Sequence, residues 1–156
     1  MKPKFINLYI DLAQRIAELS HAKRLQVGAV VVKDHRILSY GYNGTPAGFP
    51  NECEIEIPEQ VYDGHVVEPA QLVTKPEVIH AEMNALTKLA KHGDSCDQAA
   101  LFISHAPCIE CAKLILQSGI SDVYFADVYR SLDGLKLLEQ GKVQTHHVAR
   151  PPKIPK

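Results

Sequence analysis

The sequence contains no tryptophan and few aromatics of any kind, with four phenylalanines and six tyrosines in 156 residues. That scarcity counts against a surface that stacks exposed bases on rings. No sign of charge dominates either: 17 Lys plus Arg face 18 Asp plus Glu, for a net charge of −1. Without a basic field there is little to hold nucleic-acid phosphates, so no nucleic-acid partner is expected. Long apolar runs are also missing. The strongest, Val27 to Val32, falls far short of the roughly 20 residues that span a bilayer. The opening MKPKFINLYIDLAQ carries Asp11 within its apolar stretch and does not read as a leader. A cytoplasmic protein with no membrane partner is therefore expected. Cysteine is limited to Cys53, Cys96, Cys108 and Cys111, which in a reducing compartment point to metal binding or catalysis rather than to a disulfide scaffold.

With 46% hydrophobic residues, 10 prolines and 9 glycines, the composition is that of a globular protein, and its length matches one domain over residues 1–156. Phe5, Leu8, Tyr9, Leu12, Ile16 and Leu19 recur at helical spacing. Val27 to Val32 and Ile37 to Tyr42 flank a polar turn at Lys33 to Arg36 and predict an antiparallel hairpin. Residues 43–79 lose periodicity and gather five prolines, which predicts a long loop or insertion. A helix over Ala81 to Lys91 follows, with Met83, Leu86, Leu89 and Ala90 as its buried face. Then come a strand at Ala99 to Ser104, a helix at Ile109 to Gln117, a strand at Val123 to Ala126, a helix at Leu132 to Glu139 and a strand at Val143 to Val148. Alternation of this kind favours parallel pairing, here beside the hairpin in a mixed α/β sheet. The tail at 150–156, RPPKIPK, reads as a frayed end.

Two segments carry chemistry. His80, Ala81 and Glu82 open one helix, and Pro107, Cys108, Ile109, Glu110 and Cys111 open the next. Cysteines three apart at a helix start face the same way, and His80 can join them only if both helices begin at one edge of the sheet. One imidazole and two thiolates suit zinc, and three protein ligands leave it an open fourth position, which favours a catalytic site over a structural one. Glu82 is not needed as a ligand, so its carboxylate is a candidate for moving protons to and from a metal-activated water.

HAE followed by PCIEC resembles the zinc signature of the cytidine deaminase superfamily. VGAVVV, GYNGTPAG over Gly41 to Gly48, HAEMNAL and PCIECAKLILQSGI are similar to the deoxycytidylate deaminase branch, over most of residues 20 to 130. The resemblance implies a three-layer α/β/α cytidine-deaminase-like fold with a central mixed sheet, and conversion of dCMP to dUMP and ammonia for dTTP synthesis. It assigns one zinc to His80, Cys108 and Cys111, the proton shuttle to Glu82, and a sugar contact to Asn43, whose plainer reading is a turn residue before Gly44. Val27 and the peptides around Ala81, Ser104 and Pro107 would wall the pyrimidine, with Tyr129 a further substrate candidate. Lys23, Arg24 and Arg130 are candidates for the phosphate. Asn43, Gly44, Thr45, Pro46, Ala47 and Gly48 are candidates for an allosteric site taking dCTP with Mg2+ as activator and dTTP as inhibitor. A homohexamer is the assembly implied.

The sequence also departs from the resemblance. Viral relatives that carry a second, structural zinc use cysteines before the first strand, where this chain has Ser20, His21 and Ala22. A second zinc on Cys53, His65 or His92 is the weaker expectation, and a free buried thiol with surface histidines the stronger. The competing readings are another zinc deaminase, acting on a free nucleoside or on tRNA adenosine, and a non-catalytic zinc module. The balanced charge counts against tRNA, and a binding module has no use for Glu82.

Overall fold

The computed structural model describes residues 1–128 and 130–149; Tyr129 and the tail at 150–156 lie outside the described residues. Chain order is α1 (Pro3–Ala17), β1 (Gly28–Lys33), β2 (Arg36–Tyr42), β3 (Glu54–Ile57), β4 (Gln60–Tyr62), β5 (His65–Glu68), β6 (Gln71–Thr74), α2 (Ala81–His92), β7 (Ala100–His105), α3 (Ile109–Gln117), β8 (Asp122–Asp127), α4 (Asp133–Gln140) and β9 (Gln144–His147). Five strands form the main sheet in the order β2-β1-β7-β8-β9. The first three pair antiparallel and the last three parallel, so the sheet is mixed as expected.

Alternation along the strands divides the core in two. Ala29, Val31, Leu101, Ile103 and Val123 pack with α2, α3 and α4, while Val30, Val32, Phe102 and Tyr124 pack with α1. This makes three layers. Phe102 anchors the α1 side, its ring 5.0 Å from Tyr9 and 4.7 Å from Tyr124.

The buried stripe of α1 is Tyr9, Ile10, Ala13, Ile16 and Ala17, whereas Leu8 and Leu19 are 54% and 51% exposed, contrary to the expected face. Contact distance explains the rotation. A Cβ on Gly28 would lie 2.0 Å from the Ala13 carbonyl oxygen, so only small residues fit where α1 crosses β1. Similarly, α2 turns Ala81, Ala85 and Leu89 inward and leaves Ala90 exposed, because Gly41 lets the Ala81 backbone approach β2.

The excursion after β2 is more ordered than the sequence predicted. β3 pairs with β6 and β4 with β5, both antiparallel, forming an arm that projects from the sheet. Asp63 and Gly64, with φ of 49° and 74°, make its tip, the pattern of a two-residue type I′ hairpin turn. Pro58 and Pro69 lie between the two pairs of strands, where their missing N–H groups interrupt the ladder. Gly28→Ala is expected to destabilise the chain by about 1–3 kcal/mol through overpacking alone. Urea unfolding checks this, and an unchanged midpoint would contradict the close packing of α1.

Candidate active site

Two helix N-termini meet at the same edge of the main sheet. Gly44 and Ile79 exchange backbone hydrogen bonds of 3.0 and 2.8 Å, tying the end of β2 to the residue before His80. His80 is then the N-cap of α2 and Cys108 the N-cap of α3, neither with a side-chain capping bond. Two further contacts fix the second terminus. The Ala106 N–H donates to the Asp127 carbonyl at 2.8 Å, and a Cβ on Gly134 would sit 2.1 Å from the Pro107 carbonyl oxygen, so α4 presses closely on the turn before Cys108.

His80 Nδ1 lies 3.5 Å from Cys108 Sγ and 3.4 Å from Cys111 Sγ. The three ligand atoms fall within 4.8 Å of one another, and this is the one such His/Cys/Asp/Glu group among the described residues. A zinc ion about 2.3 Å from sulfur and about 2.0–2.1 Å from nitrogen, in tetrahedral geometry, requires an N-to-S edge of about 3.6 Å. The residues fit zinc. Cys53 and Cys96 are both buried and free, and no second cluster collects around Cys53, His65 or His92 among the described residues.

The electrostatics favour a cation. A hydrogen bond from the Cys111 thiol, reinforced by His80, pulls the Cys108 thiol down to about 3, so Cys108 is a thiolate. Cys111 moves the other way, because its proton is held by Cys108 and burial penalises its charge. Hydrogen bonding to Cys108 raises His80. Glu82, only 4% exposed, is pushed above the ordinary carboxylate range by burial, against the lowering effect of its own backbone N–H and of His80.

A cleft of about 360 Å³ opens over this cluster. His80, Glu82 and Cys108 line it, together with the expected Val27, Asn43, Ala81, Arg24 and Arg130. Both ends of the Asn43 amide hold the chain: Oδ1 accepts the Val27 N–H at 2.8 Å, and Nδ2 donates to the Leu25 carbonyl at 2.8 Å. Asn43 therefore serves as a turn residue and still faces the cleft.

Ser104, Pro107 and Lys23 do not themselves line the cleft, although His105, Ala106 and Cys108, whose peptides adjoin the first two, do. Ser104 is fully buried, with its hydroxyl accepting the Gly28 N–H at 3.1 Å, and Pro107 is likewise enclosed behind the wall. Lys23 turns outward, its ammonium 4.0 Å from Glu56. The Tyr129 candidate lies outside the described residues. Gly44, Thr45, Pro46, Ala47 and Gly48 line a separate cavity of about 270 Å³ with His21, Cys53 and Lys88. Sequence reasoning missed His105, Glu54, Thr74, Val78 and Val128 in the cleft. His105 ends β7 just before the PC motif and was legible from that position; Glu54 and Thr74 arrive only through the arm's pairing.

A sequence model of the family described as the cytidine and deoxycytidylate deaminase zinc-binding region matches residues 3–127. The chain is 37% identical over 134 residues to ComE operon protein 2 of Bacillus subtilis (strain 168), covering 85% of this chain and 65% of that protein, just under two thirds of its length. It is 30% identical over 148 residues to the deoxycytidylate deaminase of Enterobacteria phage T4, covering 77% and 76%. The structure of dCMP deaminase from cyanophage S-TIM5, in complex with dCMP and dUMP, superposes with a TM-score of 0.81 at 40% identity, covering 95% of this chain and 99% of that one.

Such a fold and cluster define a zinc-binding deaminase domain with the three-layer cytidine-deaminase architecture. The chain belongs to the cytidine and deoxycytidylate deaminase family. Because zinc must displace protons from Cys111 and from the raised His80, its affinity for the metal-free chain is expected to fall as pH falls. Chelator competition at pH 6 and pH 8 checks this: tighter binding at pH 8 is expected, and equal binding would contradict the ligand set.

Proposed function

We propose that the chain deaminates dCMP to dUMP and ammonia. The observation that carries this reading is the 40% identity and near-complete coverage of the cyanophage dCMP deaminase, whose structure holds dCMP and dUMP. The composition of the cleft supports it, with a buried carboxylate, residues of a metal-compatible cluster and two arginines among its lining residues.

His80, Cys108 and Cys111 would hold the metal. Zinc, when bound, supplies a Lewis acid that makes hydroxide available near neutral pH. Glu82 takes the proton of the attacking water and delivers it to the ring nitrogen, then helps protonate the departing amine. The balance is one water consumed, the C4–N bond broken, a C4–O bond formed and ammonia released. Burial suits Glu82 to both halves of this task, since a carboxyl raised toward neutral pH accepts and returns a proton readily. Val27 and Ala81, which line the cleft, would give the base an apolar wall, and Asn43, which lines it too, would offer its amide to a sugar hydroxyl. Arg24 and Arg130 supply the charge that a phosphomonoester requires.

We further propose that the enzyme works in the cytoplasm as a homohexamer, feeding dTTP synthesis, with dCTP and Mg2+ activating it and dTTP inhibiting it through residues 43–48. Support for the regulatory part is the separate cavity that the Gly44–Gly48 loop lines.

Incubating the zinc-loaded chain with dCMP and following the loss of cytosine absorbance tests the proposal. Turnover of dCMP in preference to deoxycytidine is expected, with a rate that responds to dCTP and Mg2+. Glu82→Gln is expected to lower kcat by about 10²–10⁴-fold while zinc content and circular dichroism stay unchanged. No turnover by the zinc-loaded wild type, with dCTP supplied, would overturn the substrate assignment and favour a tRNA-directed or non-catalytic role.

A further inference from the structure

The base of the arm grips the turn that carries Arg24. Glu54 and Thr74 are directly paired across β3 and β6, and both line the active cleft. Glu54 Oε1 accepts the backbone N–H groups of Lys23 and Arg24 at 3.0 and 3.1 Å, and its Oε2 accepts Lys23 again at 3.2 Å. Across the ribbon, Arg24 Nη1 donates to Thr74 Oγ1 at 3.0 Å. One cross-strand pair therefore holds both the backbone and the side chain of Arg24.

From this geometry we infer that Thr74 is a positioning residue for phosphate recognition, acting through Arg24. The inference rests on the dCMP reading above. A guanidinium carries five N–H donors, so the bond to Thr74 leaves enough of the fork for a phosphomonoester. Untethered, a long arginine side chain at the rim of a cleft loses rotamer entropy each time it binds; anchored at Nη1, it has less to lose. Glu54 keeps its negative charge, but both of its oxygens are bonded to the backbone N–H groups of Lys23 and Arg24, so it fixes the turn while Thr74 takes the guanidinium. The inserted arm thereby becomes part of the substrate site, and its hydroxyl selects for a phosphorylated nucleoside without touching the pyrimidine.

A double-mutant cycle on the zinc-loaded full chain, with dCMP and deoxycytidine as substrates, tests the assignment. Arg24→Ala is expected to raise KM for dCMP about ten- to hundredfold, the scale of a charge-assisted contact, with kcat nearly unchanged. Thr74→Val is expected to raise it about two- to tenfold, the scale of one neutral hydrogen bond, with kcat and deoxycytidine turnover unchanged. Thr74→Ser keeps the hydroxyl and should behave as wild type. In an Arg24→Ala background, Thr74→Val should add nothing. Wild-type turnover of dCMP with Thr74→Val unaffected, equally impaired on both substrates, or fully additive with Arg24→Ala would overturn this inference alone. Absence of dCMP turnover by the wild type would overturn the substrate reading and the phosphate role with it.

Discussion

The architecture of the site depends on one constraint: the first turns of α2 and α3, separated by 28 residues between His80 and Cys108, must reach the same point at the sheet edge within hydrogen-bonding distance. Close backbone packing enforces it. Gly41 lets the start of α2 settle onto β2, Gly134 lets α4 press on Pro107, and the Gly44–Ile79 bridge joins the end of β2 to the residue before His80. Each of these contacts is between main chains or nearly so, which leaves little freedom for the ligands to drift. Because metal geometry tolerates only small departures, rigid packing of this kind does more for the site than side-chain contacts within it.

Charge then follows from position. Two uncapped helix N-termini present their partial positive ends to the cluster, and that field favours a thiolate at Cys108. Glu82 lies in the first turn of α2 and is buried, so two influences act on it in opposite directions. Burial prevails. A carboxyl so placed sits closer to neutral pH than an exposed one, and it does so beside the group whose charge it must balance. The same local fold thus favours a thiolate at Cys108 while Cys111 and His80 hold their protons more tightly, and it raises the Glu82 carboxyl.

Much of this was legible in the sequence. The hairpin, the three central helices and the parallel strands follow from periodicity, and Ile109–Gln117 matches residue for residue. HAE and PCIEC mark the metal-compatible group, because cysteines three apart at a helix start share a face and His80 opens the helix that begins beside them. Helix faces were less legible. Leu8 and Ala90 look apolar enough to be buried, yet close approach of helix to strand favours Ala13 and Ala85, so size rather than hydrophobicity decides. The arm was missed because its prolines dominated the reading, although Asp63-Gly64 between Val61-Tyr62 and His65-Val66 is a strong local turn signal. For the peptides around Ser104 and Pro107, expected at the wall from the resemblance, the two side chains are buried while the adjoining His105, Ala106 and Cys108 line the cleft. Glu54 and Thr74 could not be found at all from local pattern, since only the pairing of β3 with β6 brings them to Arg24.

The segment after β2 touches both cavities. Asn43 faces the active cleft while Gly44, Thr45 and the residues to Gly48 line the second cavity, and Gly44 is bonded to the residue preceding His80. A ligand in the second cavity that moved Gly44 would act on Asn43 through one peptide bond and on His80 through Ile79. Proximity of this kind supplies a route, and coupling requires in addition that the segment have two arrangements with different affinities for the two ligands. Asn43 bears on how those arrangements can differ. Its amide closes the turn at Leu25 and Val27, one residue from Arg24, so a shift of Asn43 propagates toward Arg24 at the cleft rim as well as toward Val27. Regulation through this segment would therefore be read first in the affinity for substrate, and only then, through His80, in the chemical step.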